Sequence, residues 1–142
     1  MSRSGNKAEL KIGPVQYGLI MTLMAYCYWK RVEAIFVIMT LSFGDGFAAL
    51  LGSISANTKK LWWNSSKSWM GLISYIIFSA AGIIGVCWYF TEENLMYISD
   101  KNYIQNALIV SVVCGLIETL TIHNYDNVTI AVMAVLTYYY VK

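Results

Sequence analysis

The chain has 142 residues, 58% of them hydrophobic and only 13% charged, with a formal net charge of +2. A soluble domain carries about 25% charged residues, so the shortage points to a surface that faces lipid. The length suits one compact bundle without a second domain, and so small and scattered a positive charge does not point to nucleic acid.

The polar, basic start MSRSGNKAELKIG leads into an apolar segment, residues 15–29, with Pro14 near its beginning, where a helix tolerates proline. The far end of that segment, AYCYWKR, does not fit a small-x-small cleavage site, so the segment is expected to be retained rather than removed as a signal peptide. Four more apolar segments follow at 34–52, 69–90, 104–120 and 128–141. A helix needs about 20 residues to cross a bilayer. The second, third and fourth segments are long enough, while the first and last need their polar flanks. Cys27, Cys87 and Cys114 each lie in an apolar run without CxxC spacing. They read as small packing residues rather than disulfide, redox or zinc groups.

Aromatic residues crowd the segment ends: Trp29, Trp62, Trp63, Trp69, Trp88, Tyr89 and Tyr138 to Tyr140. That is the interfacial belt of a membrane protein. The expected fold is all-α, a polytopic integral membrane helix bundle of about five transmembrane helices, forming a single membrane domain over residues 1–142. Such a chain places Arg3, Lys7, Lys11, Lys59, Lys60 and Lys67 on one side. Lys30, Arg31, Lys101 and Lys142 fall on the other, diluted by Glu33, Glu92, Glu93 and Asp100. The positive-inside rule then makes the first side the cytoplasmic or stromal one.

The stretch VIMTLSFGDGFAALLG (37–52) holds one ionisable residue, Asp45, between Gly44 and Gly46. An intramembrane carboxylate is expensive, by about 2.5–3.5 kcal/mol on insertion scales, and must face the bundle interior, a polar cavity or a cation. Gly44, Ala48 and Gly52 also fall four residues apart, a small-residue face suited to close helix packing. After it, KKLWWNSSKSW offers Lys59, Lys60 and Lys67 with Ser65, Ser66 and Ser68, groups suited to phosphate or to anionic lipid heads. The fourth segment ends GLIETLTIHNYDN, with Glu118 in apolar sequence and Asp126 and Asn127 following. Asp45, Lys67, Glu118 and Asp126 all fall toward the same membrane face. Carboxylates hold Mg²⁺ and a lysine neutralises phosphate, which is what a metal–nucleotide site requires; a transport relay would use the same acids. His123, the single histidine, reads as interfacial. Asn64 and Asn127 each open a glycosylation sequon that a cytoplasmic side would leave idle. Walker A, HExxH and GxSxG motifs are absent from the sequence.

GDGFAALLG (44–52), NSSKSWMG (64–71) and ETLTIHNYDNVTI (118–130), with AELKIGPVQYGLI (8–20) ahead of them, resemble the motifs of the CTP-dependent polyprenol kinases. The match is to the phytol and farnesol kinase branch, related to dolichol kinase, in order over nearly the whole chain. The resemblance implies the C-terminal catalytic part of an integral membrane kinase that transfers the terminal phosphate of CTP to an isoprenoid alcohol (phytol, farnesol or geranylgeraniol), with Mg²⁺ as divalent cation. Gly44, Asp45, Ala48 and Gly52 match its first motif, Lys67, Ser68 and Gly71 the second, Glu118, Asp126, Asn127 and Thr129 the third. It implies Asp45, Lys67, Glu118 and Asp126 as catalytic groups, with Asp45 and Asp126 also on metal. Gly44, Gly46, Lys59, Lys60, Ser68 and Asn127 are the nucleotide-binding candidates. Leu72, Thr121 and Ala131 depart from the family's usual Ser, Pro and Pro, and nothing matches the family's N-terminal helices. The alternatives are a dolichol or diacylglycerol kinase of the same CTP-using group, or an inactive truncated membrane protein. A chloroplast envelope or endoplasmic reticulum is the expected setting in a eukaryote.

Overall fold

The computed structural model describes residues 9–54, 59–96, 98, 102–121 and 125–142, and within the first helix the side chains from residue 13 onward. Arg3, Lys7, Asp100, Lys101 and His123, with the side chain of Lys11, lie outside the described residues.

Every apolar segment becomes a helical element. Helix α1 spans Glu9–Cys27, reaching back into its polar flank. The second segment is composite: α2 (Val32–Met39) runs into a π-helical turn (Thr40–Asp45) and continues as α3 (Gly46–Ile54). Then come α4 (Trp69–Glu92), α5 (Tyr103–Leu120) and α6 (Asp126–Val141). Among the described residues there is no strand, only an isolated antiparallel bridge between Lys60 and Ser68. The fold is thus all-α, as expected. Three stretches, Val32–Ile54, Trp69–Glu92 and Tyr103–Leu120, are long and apolar enough to cross a membrane. Helices α1 and α6 do not combine that length and hydropathy. Pro14 lies inside α1 rather than at its first turn, so its missing N–H and its ring disturb the bond to the carbonyl of Leu10. Cys87 and Cys114 are buried packing residues, whereas Cys27 is exposed at the end of α1.

On α5 the packing is inverted relative to a water-soluble bundle. Along α5, Ile104, Leu108, Val112, Leu116 and Leu120 are exposed at intervals of four residues. The opposite face carries Ala107, Ser111 and Gly115 in one row and Val110, Cys114 and Glu118 in the next, all buried. Large apolar side chains therefore face outward and small or polar ones inward, as helices in lipid require when hydrophobicity does not drive their association. The same i, i+4 rows that bury Cys114 carry Glu118 into the bundle.

Glycines set how closely the helices approach. A Cβ on Gly44 would lie 2.9 Å from Cζ of Tyr75, so only glycine fits against that ring. On the far side of the same ring, a Cβ on Gly115 would meet Tyr75 Cδ1 at 3.2 Å. Further along, Gly71 faces the Ala48 carbonyl and the Cα of Gly52, bringing α3 and α4 backbone to backbone. The expected small-residue face of Gly44, Ala48 and Gly52 is thus a packing seam against α4. Gly46 points away from it, and a Cβ there would meet nothing within 4 Å.

The π-helical turn sits where this seam begins. Its extra residue changes the helix pitch, and the buried Thr40 hydroxyl donates to the Phe36 and Val37 carbonyls at 2.9 and 3.0 Å. Ser42 within the turn is hydrogen-bonded to Tyr17 of α1 at 2.6 Å, which ties the first helix to it. Single π turns inside α-helices are frequent at functional sites.

The contrast between the two glycines beside Asp45 is testable. Gly44→Ala is expected to destabilise the bundle by about 1–3 kcal/mol, the usual range for overpacking, whereas Gly46→Ala leaves it unchanged or slightly firmer. Thermal unfolding in detergent compares them; equal midpoints for the two variants would contradict the Tyr75 contact.

Candidate functional site

The site is built by the segment between α3 and α4. Residues 59–68 fold back on themselves. Leu61 N–H donates to the Lys67 carbonyl at 3.0 Å, and Trp69 N–H donates to the Lys59 carbonyl at 3.2 Å. Leu61, only 2% exposed, anchors the turn from below. Asn64 holds it from the side: its Nδ2 donates to the Thr119 carbonyl at 2.9 Å, and its Oδ1 accepts from Ser66 N at 3.1 Å and Ser66 Oγ at 2.6 Å. Trp63 Nε1 donates to Thr119 Oγ1 at 3.2 Å. The segment is therefore strapped onto the last turn of α5. Asn64, a sequon asparagine, already spends its amide on this strap.

The strap delivers Lys67 to Glu118. Lys67 Nζ donates to Glu118 Oε1 in an ion pair whose side chains are 7% and 3% exposed. Next in sequence, Ser68 caps α4, its Oγ accepting from Gly71 N at 3.1 Å. Above the pair lies a cavity of about 410 Å³ lined by Gly52 and Ser53 of α3, Lys60, Ser66, Lys67 and Ser68 of the strap, and Glu118. Its apolar floor includes Ala48 and Leu72. One buried ammonium, an exposed one on Lys60, and the Ser53, Ser66 and Ser68 hydroxyls make a pocket for an anionic oxygen ligand.

The third-motif acids sit at one height. Cys114 Sγ approaches the Ile130 carbonyl at 3.9 Å, which sets α6 against α5. Glu118 lies four residues past Cys114, and Asp126 lies four residues before Ile130 on the returning helix. Each is therefore about 6 Å beyond that contact toward the strap, at 1.5 Å per residue. Asp45 is half-buried at the end of the π turn. Its neighbour Gly44 faces the Tyr75 ring, which also meets Gly115 beside Cys114. Asp45 therefore follows directly on the residue that packs against that ring, outside the lining of the cavity.

Of the residues singled out from sequence, Lys60, Lys67, Ser68 and Glu118 converge on the cavity. Asp45, Asp126, Gly44, Gly46, Lys59 and Asn127 are not part of its lining. Gly44 serves the Tyr75 contact, Lys59 turns outward and contributes its carbonyl, and Asp126 and Asn127 begin α6 in half-buried positions. Among the described residues no three His, Cys, Asp or Glu side chains gather as a metal cage. Sequence reading missed Asn64, although an asparagine two residues before Ser66 is the signal of an Asx turn. It also missed Tyr75, a fully buried ring between the first-motif glycine and α5. Its hydroxyl has no hydrogen bond among the described residues.

Comparison with known proteins places this geometry in a family context. The chain is 35% identical over 140 residues to a chloroplastic farnesol kinase of Arabidopsis thaliana, covering 96% of the chain and 45% of that protein. It is 33% identical to a probable chloroplastic phytol kinase 3 of Glycine max, over 96% of the chain and 43% of the relative. To the chloroplastic phytol kinase 1 of Arabidopsis thaliana it is 28% identical, over 98% of the chain and 46% of the relative. The resemblance to the phytol and farnesol kinase branch is thus borne out across nearly the whole chain, which spans about half the length of these relatives. No family model and no solved structure matches the chain.

The strap makes its own prediction. Asn64→Ala leaves the buried Thr119 carbonyl without that donor, a loss of about 1–3 kcal/mol, and opens residues 59–68 to solvent. Amide hydrogen exchange should accelerate at Leu61 and Lys67 relative to the middle of α4. Unaltered exchange there would show that Asn64 does not hold the segment.

Proposed function

We propose that this chain is the nucleotide-binding and phosphate-transferring part of a membrane kinase acting on an isoprenoid alcohol of the farnesol or phytol type, with CTP as donor. The observation that carries the reading is the pairing of Lys67 with Glu118 under a cavity walled by the same segments that resemble the kinase motifs. Relatives named as farnesol and phytol kinases support the acceptor class. Their names also call them chloroplastic, which supports a chloroplast membrane as the setting.

Phosphoryl transfer asks little covalent chemistry of a protein; it asks for positioning and for neutralisation of charge. In this reading Lys67 lies against the nucleotide's terminal phosphates, Lys60 meets them from the rim, and the Ser66 and Ser68 hydroxyls hydrogen-bond the oxygens. Glu118 accepts the proton of the acceptor alcohol as its oxygen bonds phosphorus and the nucleoside diphosphate leaves with the electrons of the broken bond. The alcohol's apolar tail stays in the lipid alongside the helices. Mg²⁺, which keeps several waters and needs only one or two carboxylates plus substrate phosphates, would supply charge neutralisation on the phosphates. Asp45 and Asp126, which lie outside the cavity lining, are the acids that the motif resemblance offers to such a cation as it arrives with the phosphates.

Membranes containing the chain, given labelled CTP or ATP and a panel of phytol, farnesol, geranylgeraniol, dolichol and diacylglycerol, are expected to phosphorylate an isoprenoid alcohol. Lys67→Met and Asp45→Asn should each lower turnover at least about a hundredfold, the scale of losing one charge-stabilising group, with insertion into the membrane intact. A correctly inserted chain that labels no alcohol would overturn the kinase reading.

A further inference from the structure

The ammonium proposed to meet a phosphate is already occupied. Lys67 is held by Glu118, both side chains are buried, and both line the same cavity. A carboxylate and a phosphate are the same kind of partner for an ammonium, anionic oxygens accepting a charge-assisted hydrogen bond. We propose that Glu118 is an internal stand-in for the substrate phosphate: it holds Lys67 in the ligand-free protein and gives it up when the nucleotide's phosphate enters. Binding is then an exchange of carboxylate for phosphate at Lys67. The inference rests on reading the cavity as a nucleotide-phosphate site.

The surroundings explain why an internal anion is needed. Lys67 is the one Lys or Arg side chain buried among the described residues, and Ala48, Ala49 and Leu72 form the apolar part of its cavity. A buried ammonium without a counter-ion is strongly destabilising. The empty site therefore needs an anion as much as the filled one does. Ser66 Oγ is bonded to Asn64, and Ser68 Oγ accepts the Gly71 N–H. Neither hydroxyl carries the charge to replace a carboxylate.

The supports of the two partners differ in the way an exchange requires. Glu118 rises from α5 within a turn of its end, its backbone held by the helix. Lys67 sits on the strap just before α4 and has a four-carbon stem, so its ammonium can swing while the carboxylate stays. The exchange has a chemical consequence. Glu118 loses its hydrogen-bond donor at the moment the donor nucleotide is seated, and its oxygen becomes available to the acceptor alcohol only then. The base is thereby coupled to nucleotide occupancy, and Glu118 acts on affinity and on turnover in opposite directions.

The test measures binding and turnover separately on the purified full chain in detergent, with Mg–CTP and, independently, inorganic pyrophosphate as probes. Glu118→Gln is expected to tighten both by about tenfold, within the usual range of coupling between two interactions, while kcat falls. Each ligand should also raise the melting temperature of this variant more than that of the parent chain, because it supplies the anion that glutamine lacks. Lys67→Met should lose the tight binding, alone and combined with Glu118→Gln. Unchanged or weaker binding in Glu118→Gln, with Lys67→Met still harmful, would overturn the exchange and leave the phosphate site standing. Binding indifferent to Lys67→Met would instead remove the phosphate site itself. If Glu118→Gln does not fold, Glu118→Asp decides. Its carboxylate is one methylene shorter, so tighter binding supports the exchange, and equal or weaker binding overturns it.

Discussion

A lysine and a glutamate buried against each other inside an apolar bundle constrain everything around them. Neither charge is tolerable there alone, and together they offset their desolvation only if the geometry is held firmly. The rest of the local structure supplies that firmness. Glu118 is fixed by the period of α5, whose inner rows carry it toward α4. Lys67 has no such helix beneath it, so the strap is bonded at Leu61, Trp63, Asn64 and Ser66, and α4 begins with its cap at the very next residue. A loop at a membrane edge is ordinarily the loosest part of a bundle. Residues 59–68 are instead tied to one another and to the end of α5 by hydrogen bonds, and these hold Lys67 at Glu118.

The close approach of the helices is the second condition. In lipid, apolar side chains gain little by turning inward, and association depends on backbone proximity and packing. Gly44 and Gly115 admit the Tyr75 ring from two sides, and Gly71 lets α3 lie against α4. Seen along the bundle, these contacts occupy successive levels. The Tyr75 ring fills the lower one, the Gly52–Gly71 approach closes the upper one, and the cavity opens beside that approach. Enlarging either glycine position would push the facing helices apart, which makes the first motif a spacing device as well as a source of one carboxylate.

Much of this was legible in the sequence. The five apolar segments could be read as helices from their length and continuous apolarity, and Glu118 could be placed inside because the helical period puts it on the buried rows of α5. Lys67 and Ser68 were recognisable from their motif. The π turn was not, since a change from i→i−4 to i→i−5 bonding leaves no residue type behind to announce it. Lys59 and Lys60 look equivalent as neighbours, yet in extended backbone adjacent side chains point to opposite faces, and only Lys60 reaches the cavity. Asn64 was hidden by its sequon, which draws the eye to the glycan rather than to the amide's hydrogen bonds. Tyr75 was hidden by abundance; one tyrosine among 11 carries no mark of being the ring that two glycines make room for.

The acids of the described chain are spread along the bundle rather than ringed around a point. Glu118 lines the cavity, Asp126 and Asp45 lie outside its lining, and no three ligating side chains converge among the described residues. Such an arrangement is poorly suited to a resident metal cage, which wants its ligands equidistant from a centre. It suits a ligand that brings its own charge and bridges several positions, as a polyphosphate does. In the proposed function the single buried ammonium serves an anion whose charge dwarfs its own. The imbalance is tolerable only if the ligand's charge is shared with the rim lysine and with cations that arrive alongside it. On that view the modest electrostatics of the empty cavity follow from the apolar bundle around it: a more strongly charged site would cost more to desolvate there.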